Sequence, residues 1–257
     1  MPELTSIAVS SDILRWAQAA HRRAVDVLDT APPDAFECEG TWFVGVDALP
    51  NATDGSLDGV PFPCSVRSKI EAQYGPLGDV HPAQLSTVYR GYPKPRANES
   101  PSAFAYRRDR DGAHVDGLLP LGPNRRRHII EPHRYILGIP LTPVTQEHAP
   151  MIYYNGSSDI MRRAFSEAFA HISRGEDVAS VDVTDIYHKA RRTVFETCER
   201  AVVTAPFGSA YIVDPMCLHG IAPWRSAELG PRIVAYIRPQ FAAHESLLWC
   251  RDLRAKT

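Results

Sequence analysis

Residues 201–237 read AVVTAPFGSAYIVDPMCLHGIAPWRSAELGPRIVAYI. Three short apolar runs, Ala201–Thr204, Ala210–Val213 and Ile233–Ile237, are parted by Gly, Pro, Ser and Asp. Runs this short, rich in Val and Ile and bounded by turn formers, predict buried strands rather than helices. Gly208-Ser209 makes the turn between the first two. The same pattern recurs upstream in Trp42–Val46, Tyr135–Leu141 and Met151–Tyr154, the last closed by the turn signal Asn155-Gly156. Residues 103–118 read as a short strand pair around Arg110-Asp111-Gly112, followed by a polar, basic stretch from Asn124 to Arg134. The 22 prolines are spread along the chain, which suits many loops and short strands better than a helical bundle. The expected fold is mainly β with flanking helices, built on a jelly-roll core.

Helical periodicity appears twice. Ser11-Asp12 is a plausible N-cap, and Ile13, Leu14, Ala17, Ala20, Ala24, Val25 and Leu28 follow at helical spacing until Pro32-Pro33 stops the run. A pair of helices, roughly Asp159–Ser173 and Thr184–Glu199, reads as an insertion between strands. The expected organisation is one domain, 1–257. It comprises an N-terminal helical and loop region, 1–100, and a jelly-roll core, about 101–241, with a helical insert at about 158–200. Within 34–100 only the strand at 42–46 is placed.

Bulk composition narrows the function classes. The 257 residues are 44% hydrophobic, enough for a core, and carry a net charge of −2. No basic excess points to nucleic acid or an anionic membrane. The five cysteines are odd in number, widely spaced and free of any CxxC pair, which suits reduced thiols in the cytoplasm. Residues 1–20 lack the pattern of a signal peptide, and no stretch approaches the ~18 apolar residues of a membrane span. The expected partner is a small-molecule substrate, with no nucleic acid and no membrane; oligomeric state stays open, a homodimer included.

The chemistry concentrates in His114-Val115-Asp116. Residues two apart on a strand face the same way, so this imidazole and carboxylate can aim at one point. Together they make two-thirds of the facial triad that binds non-haem Fe(II). His219, which ends an apolar run and precedes Gly220, is the best candidate for the third ligand. Such a triad leaves three positions on iron, two for a chelating 2-oxo acid and one for O2. The far carboxylate of that acid needs a fixed cation, and arginine binds carboxylate with two parallel bonds. Arg232, opening the strand after His219, is the choice; Arg225 and Arg238 compete for the role.

With these residues the chain resembles the Fe(II)/2-oxoglutarate-dependent dioxygenases, and within them the phytanoyl-CoA dioxygenase-like group. The likeness rests on Ala113–Gly117, on residues 135–158 and on Phe207–Phe241, spanning roughly 103–241. It implies a double-stranded β-helix, cupin-like core, with His114, Asp116 and His219 on Fe(II) and Arg232 on 2-oxoglutarate. It also implies consumption of 2-oxoglutarate and O2, release of succinate and CO2, and hydroxylation or another oxidation of a small molecule. Related halogenases replace the carboxylate ligand, so Asp116 argues against halogenation. The chain departs from the pattern at Gly156-Ser157-Ser158 and at Glu147-His148-Ala149-Pro150. Val234 stands where some relatives place a second cosubstrate-binding hydroxyl, leaving that anchor unassigned.

Arg107, Asn124, Arg126 and Trp224 are candidate substrate contacts. Against each stands a plainer role: a strand residue, a solvated basic loop, or a core or rim aromatic. His128 and His133 invite a second metal site, but Pro132 between them breaks regular spacing. No nucleophile elbow or phosphate-binding Gly-rich loop is present. The alternatives from other classes are a non-catalytic cupin-type protein that binds a metal or small molecule, and a metal-dependent hydrolase or isomerase on the same ligands.

Overall fold

The computed structural model describes residues 2–172, 178–228, 230–242 and 245. Its strands are β1 (Leu4–Ile7), β2 (Phe36–Glu37), β3 (Trp42–Leu49), β4 (Ala83–Val88), β5 (Leu118–Leu121), β6 (Arg126–Ile129), β7 (Ile136–Pro140), β8 (Met151–Asn155), β9 (Glu199–Val202), β10 (Ala210–Val213), β11 (His219–Ile221) and β12 (Arg232–Ile237). Its helices are α1 (Ser11–Thr30), α2 (Cys64–Tyr74), α3 (Pro101–Asp109), α4 (Ser157–Ala168) and α5 (Thr184–Thr197).

The period-two alternation of the strands sorts their side chains into layers. A seven-stranded sheet runs β1-β10-β7-β12-β4-β3-β2, with every pairing antiparallel. One face sends Phe43, Leu85, Leu137, Ile212 and Ile233 into a core shared with Ile13, Trp16 and Ala20 of α1 and Val66 and Ile70 of α2. Each such side chain, fully buried, contributes about 1.5–3 kcal/mol. Trp16 keeps its polar handle satisfied by donating from Nε1 to the Gly55 carbonyl at 2.9 Å. The other face presents Ile136, Tyr211, Val213, Val234 and Tyr236 to Met151 of the second sheet, β11-β8-β9. Ile152 and Tyr154, one residue out of step with Met151, point away from that interior and pack on Met161 and Phe165 of α4 and Tyr187 and Val194 of α5. The result is helices, large sheet, small sheet, helices: the expected mainly β jelly-roll class with flanking helices.

Two local expectations fail. Residues 103–118 do not form a strand pair. Ser100 accepts from the Ala103 N–H at 3.2 Å and Pro101 occupies the first helical position, so α3 forms instead. The first hundred residues supply β1–β4 to the large sheet, so the β core does not begin at 101. Gly208-Ser209 makes the expected turn between β9 and β10, which lie in different sheets: β9 pairs with β8, whereas β10 pairs with β1 and β7. The helical insert is present as α4 and α5; Ser173, at its expected first break, lies outside the described residues, as does Cys250. Four cysteines are free, and among the described residues no helix is long and apolar enough to cross a membrane.

Candidate metal centre

His114 and His219 meet because their backbones pair. The His114 N–H donates to the His219 carbonyl at 2.8 Å and the His219 N–H donates to the His114 carbonyl at 3.0 Å. Residues that exchange both bonds in an antiparallel pair stand directly opposite with side chains on one face. The two rings accordingly sit 4.9 Å apart. Gly220 follows because a Cβ there would lie 2.2 Å from the Asp111 carbonyl. Asp116 curls back beside the pair in a turn with Gly117 at φ +82°, where a Cβ would collide with the Glu131 carbonyl at 2.1 Å. Val115, between the two ligands, is buried in the core beneath α4 and α5.

The tautomers follow from the neighbours. His114 Nδ1 lies 2.9 Å from the Gly112 carbonyl, and His219 Nδ1 lies 2.9 Å from the Cys217 carbonyl. A carbonyl only accepts, so each Nδ1 carries a proton, and in the neutral form of either ring Nε2 presents a lone pair. Both lone pairs face Asp116 Oδ1, at 3.1 Å from His114 and 3.7 Å from His219. The three ligand atoms lie within 4.8 Å of one another. Three acceptors converging on one point need a cation or a proton between them, and two imidazoles with one carboxylate suit a divalent transition metal. His114, Asp116 and His219 therefore could hold an iron ion, as a group of the expected composition.

Electrostatics favour the metal-ready states of the buried pair. Burial pushes His219 down to about 4, so it stays neutral near pH 7. Burial would raise the Asp116 carboxyl, but the hydrogen bond from His114 and the neighbouring cationic groups, Arg238 among them, outweigh it and hold the group well below the usual carboxylate range. At His114 the surroundings disfavour charge, yet the bond to Asp116 and its charge raise the imidazole.

The group opens into a cavity of about 390 Å³, walled by Trp42, Val44, Tyr92, Met151, Ile221 and Tyr236 among others. Arg232 lies on the same face of β12 as Tyr236 and is 1% exposed. Its Nη2 donates to Ser86 Oγ at 3.2 Å, and Ser86 lines the cavity. Its Nε and Nη1 are buried with no hydrogen-bond acceptor among the described residues. Of the competing arginines, Arg225 is exposed. Arg238 lines the cavity but is already engaged: its Nη1 donates to Asp116 Oδ2 at 2.9 Å.

The four substrate candidates fare differently. Arg107 lines the cavity, but on α3 rather than a strand, with its guanidinium bound to Glu99, the Lys94 carbonyl and Cys38 Sγ. Arg126 sits on the β5–β6 hairpin, held by Asp182 at 2.5 Å and Asp185 at 2.7 Å, and does not line the cavity. Asn124 is exposed in that hairpin's turn and also stands apart from it. Trp224 is buried beside Tyr92 and against His148, its ring 4.9 Å from the imidazole, and is a core residue rather than a cavity wall. His128 and His133 do not meet as ligands, since each Nδ1 donates to a different carbonyl, of Ala179 and of Arg238.

Sequence reasoning missed Ser86 and the Asp111–Arg200 pair, and named Arg238 only as a competing cosubstrate anchor, not as the partner of Asp116. Arg200 Nε and Nη2 each donate to Asp111 at 2.7 Å, tying β9 to the loop that delivers His114. Only the spacing of Arg238 from Arg232, which puts both on one strand face, carried any advance signal.

His133 offers a test of this buried polar surround. Burial pushes its imidazole down to about 4, below its value in the unfolded chain. The unfolded chain then binds the proton first, so stability falls as pH drops from about 6.5 to about 4, by about 3 kcal/mol in full. Urea unfolding of the metal-free protein is expected to show this loss, and His133→Asn, which keeps a donor toward the Arg238 carbonyl, to remove most of it. An equal slope in the variant would place the acid sensitivity elsewhere.

No family model and no curated protein matches the chain. Among solved structures it is similar to AviO1 from Streptomyces viridochromogenes Tue57, at 15% identity and TM-score 0.46, over 94% of this chain and 91% of that one. It is similar to the non-haem alpha-ketoglutarate-dependent carbocyclase SnoK from nogalamycin biosynthesis, at 13% identity and TM-score 0.45, over 92% and 79%. A third is EctD from S. alaskensis with bound Fe, at 11% identity and TM-score 0.43, over 92% and 72%. None of these three singles out the phytanoyl-CoA dioxygenase-like group.

Proposed function

We propose that this chain is an Fe(II)- and 2-oxoglutarate-dependent oxygenase that oxidises a small molecule. The observation that carries the reading is a pairing across one cavity wall: the three ligand residues line the cavity, and Arg232 lies behind Ser86, which also lines it. Three converging lone pairs call for a cation, and a buried guanidinium with two unaccepted N–H groups calls for an anion. A buried charge without a partner is strongly unfavourable, and a dicarboxylic acid whose far end reaches Arg232 relieves it. Iron, when bound, supplies the redox chemistry with O2 that decarboxylates 2-oxoglutarate to succinate and oxidises a C–H bond.

The chain's own residues do the rest. Neutral His219 and His114 and ionised Asp116 would hold the metal. Arg232 would bind the distal carboxylate through its planar fork. Ser86, directly across the sheet from Val234, would supply the hydroxyl that Val234 lacks. Trp42, Val44, Tyr92, Met151 and Ile221 would exclude water and grip a largely apolar substrate surface.

Anaerobic titration of Fe(II) and 2-oxoglutarate into the protein tests the reading. A weak visible charge-transfer band is expected on addition of both. Folded, iron-loaded protein that gives no band would instead fit a cupin-type binding protein.

A further inference from the structure

The two oxygens of Asp116 live in different surroundings. Oδ1 faces the Nε2 atoms of His114 and His219 at 3.1 and 3.7 Å. Oδ2 accepts from Arg238 Nη1 at 2.9 Å, in a pair only 8% exposed at the carboxylate and 24% at the guanidinium. Arg238 is itself fixed. Its Nη2 donates to Gln84 Oε1. Its backbone N–H donates to His81 Nε2 at 2.8 Å, and its carbonyl accepts from His133 Nδ1 at 3.0 Å. His81 Nδ1 in turn donates to the Pro82 carbonyl at 2.7 Å. Two histidines thus clamp the main chain of one arginine, and a glutamine clamps its side chain.

A carboxylate beside a dication binds through one oxygen or through both. An oxygen already accepting a charge-assisted bond is held away from the metal, and such outer partners orient the ligand. We propose that Arg238 is a positioning residue that keeps Asp116 a single-oxygen ligand. The inference rests on the metal-centre reading above and concerns a different property of it.

Coordination arithmetic gives the consequence. An octahedral ion has six positions. Two histidines and one oxygen leave three, enough for a two-oxygen cosubstrate and O2. A chelating Asp116 leaves two, so the cosubstrate would fill the ion. For Oδ2 to reach the metal, Arg238 would have to give up its 2.9 Å bond. Its guanidinium would then keep Gln84 alone, with a buried Nε that has no acceptor among the described residues. Breaking a buried ion pair in this way is strongly unfavourable.

The probe is Mn(II), which reports its bound waters through the broadening of its electron paramagnetic resonance lines in oxygen-17 water. Wild-type protein is expected to hold Mn(II) with three waters, and one after 2-oxoglutarate is added. Arg238→Met is expected to show two, then none, and Arg238→Lys, which keeps a charged donor, to restore three. A merely structural arginine would alter affinity or melting temperature and leave the count alone. Two waters in wild type would overturn the proposal even if Arg238→Met failed to fold. Three waters in folded Arg238→Met would overturn it too. No Mn(II) binding by wild type would strike the metal-centre reading instead.

Discussion

His219→Ala protein is expected to stay folded, to bind Fe(II) more than about 100-fold more weakly, and to form less than about 1% of the wild-type succinate. The backbone bonds between His114 and residue 219 do not depend on the side chain, so the loop that carries His114 and Asp116 stays attached to β11. What disappears is one of three ligand atoms. Changes to groups that only support ligands cost about 10–100-fold in affinity, and loss of a ligand itself exceeds that. Truncation also leaves the Cys217 carbonyl without its donor, at about 1–3 kcal/mol. Calorimetric titration with Fe(II), beside denaturant unfolding of the metal-free protein, separates the two effects. Unchanged Fe(II) affinity in the folded variant would place the metal elsewhere.

Arg232→Met is expected to do two opposite things. It should weaken 2-oxoglutarate by about 3 kcal/mol or more, roughly 150-fold, because two charge-assisted bonds to the carboxylate are lost. It should also stabilise the ligand-free protein by about 1–4 kcal/mol, because an apolar side chain of similar length replaces a buried guanidinium with two unaccepted N–H groups. Wild-type protein, but not the variant, should gain about 2.7 kcal/mol at 2-oxoglutarate 100-fold above its dissociation constant. An arginine kept for packing predicts the reverse, a less stable variant with an unchanged cosubstrate requirement. That outcome would move the anchor to Arg238, since Arg225 is exposed.

The metal group was legible because its signals are local. His114 and Asp116 stand two apart, and a lone histidine followed by glycine after a Val/Ile-rich run marks a crowded backbone, although His219 opens β11 rather than ending β10. The β class was legible for the same reason, through short apolar runs between turn formers. The failures have equally local causes. At 100–109 a capping serine followed by proline outweighed the turn signal of Asp111-Gly112, which ends the helix rather than joining strands. Between 34 and 100, β3 was read in part at 42–46, whereas β4 was missed because Gln84 and Ser86 face the cavity and Thr87 adds a third polar residue, which dilutes its hydrophobic pattern.

Ser86 and Arg238 could not be read this way. Ser86 matters because antiparallel register sets it opposite Val234, 148 positions away in the chain by subtraction of their numbers. Arg238 matters because Asp116 folds back beneath β12, a contact no spacing encodes. The sequence alone determined which residue types could bind a metal and an acid. Only the tertiary structure decided which oxygen of Asp116 is free, which arginine keeps an unaccepted fork, and that Arg126 is held by Asp182 and Asp185. Ligand chemistry follows from side-chain identity, whereas availability depends on what each side chain touches, and partners distant in the chain meet only when the sheets close.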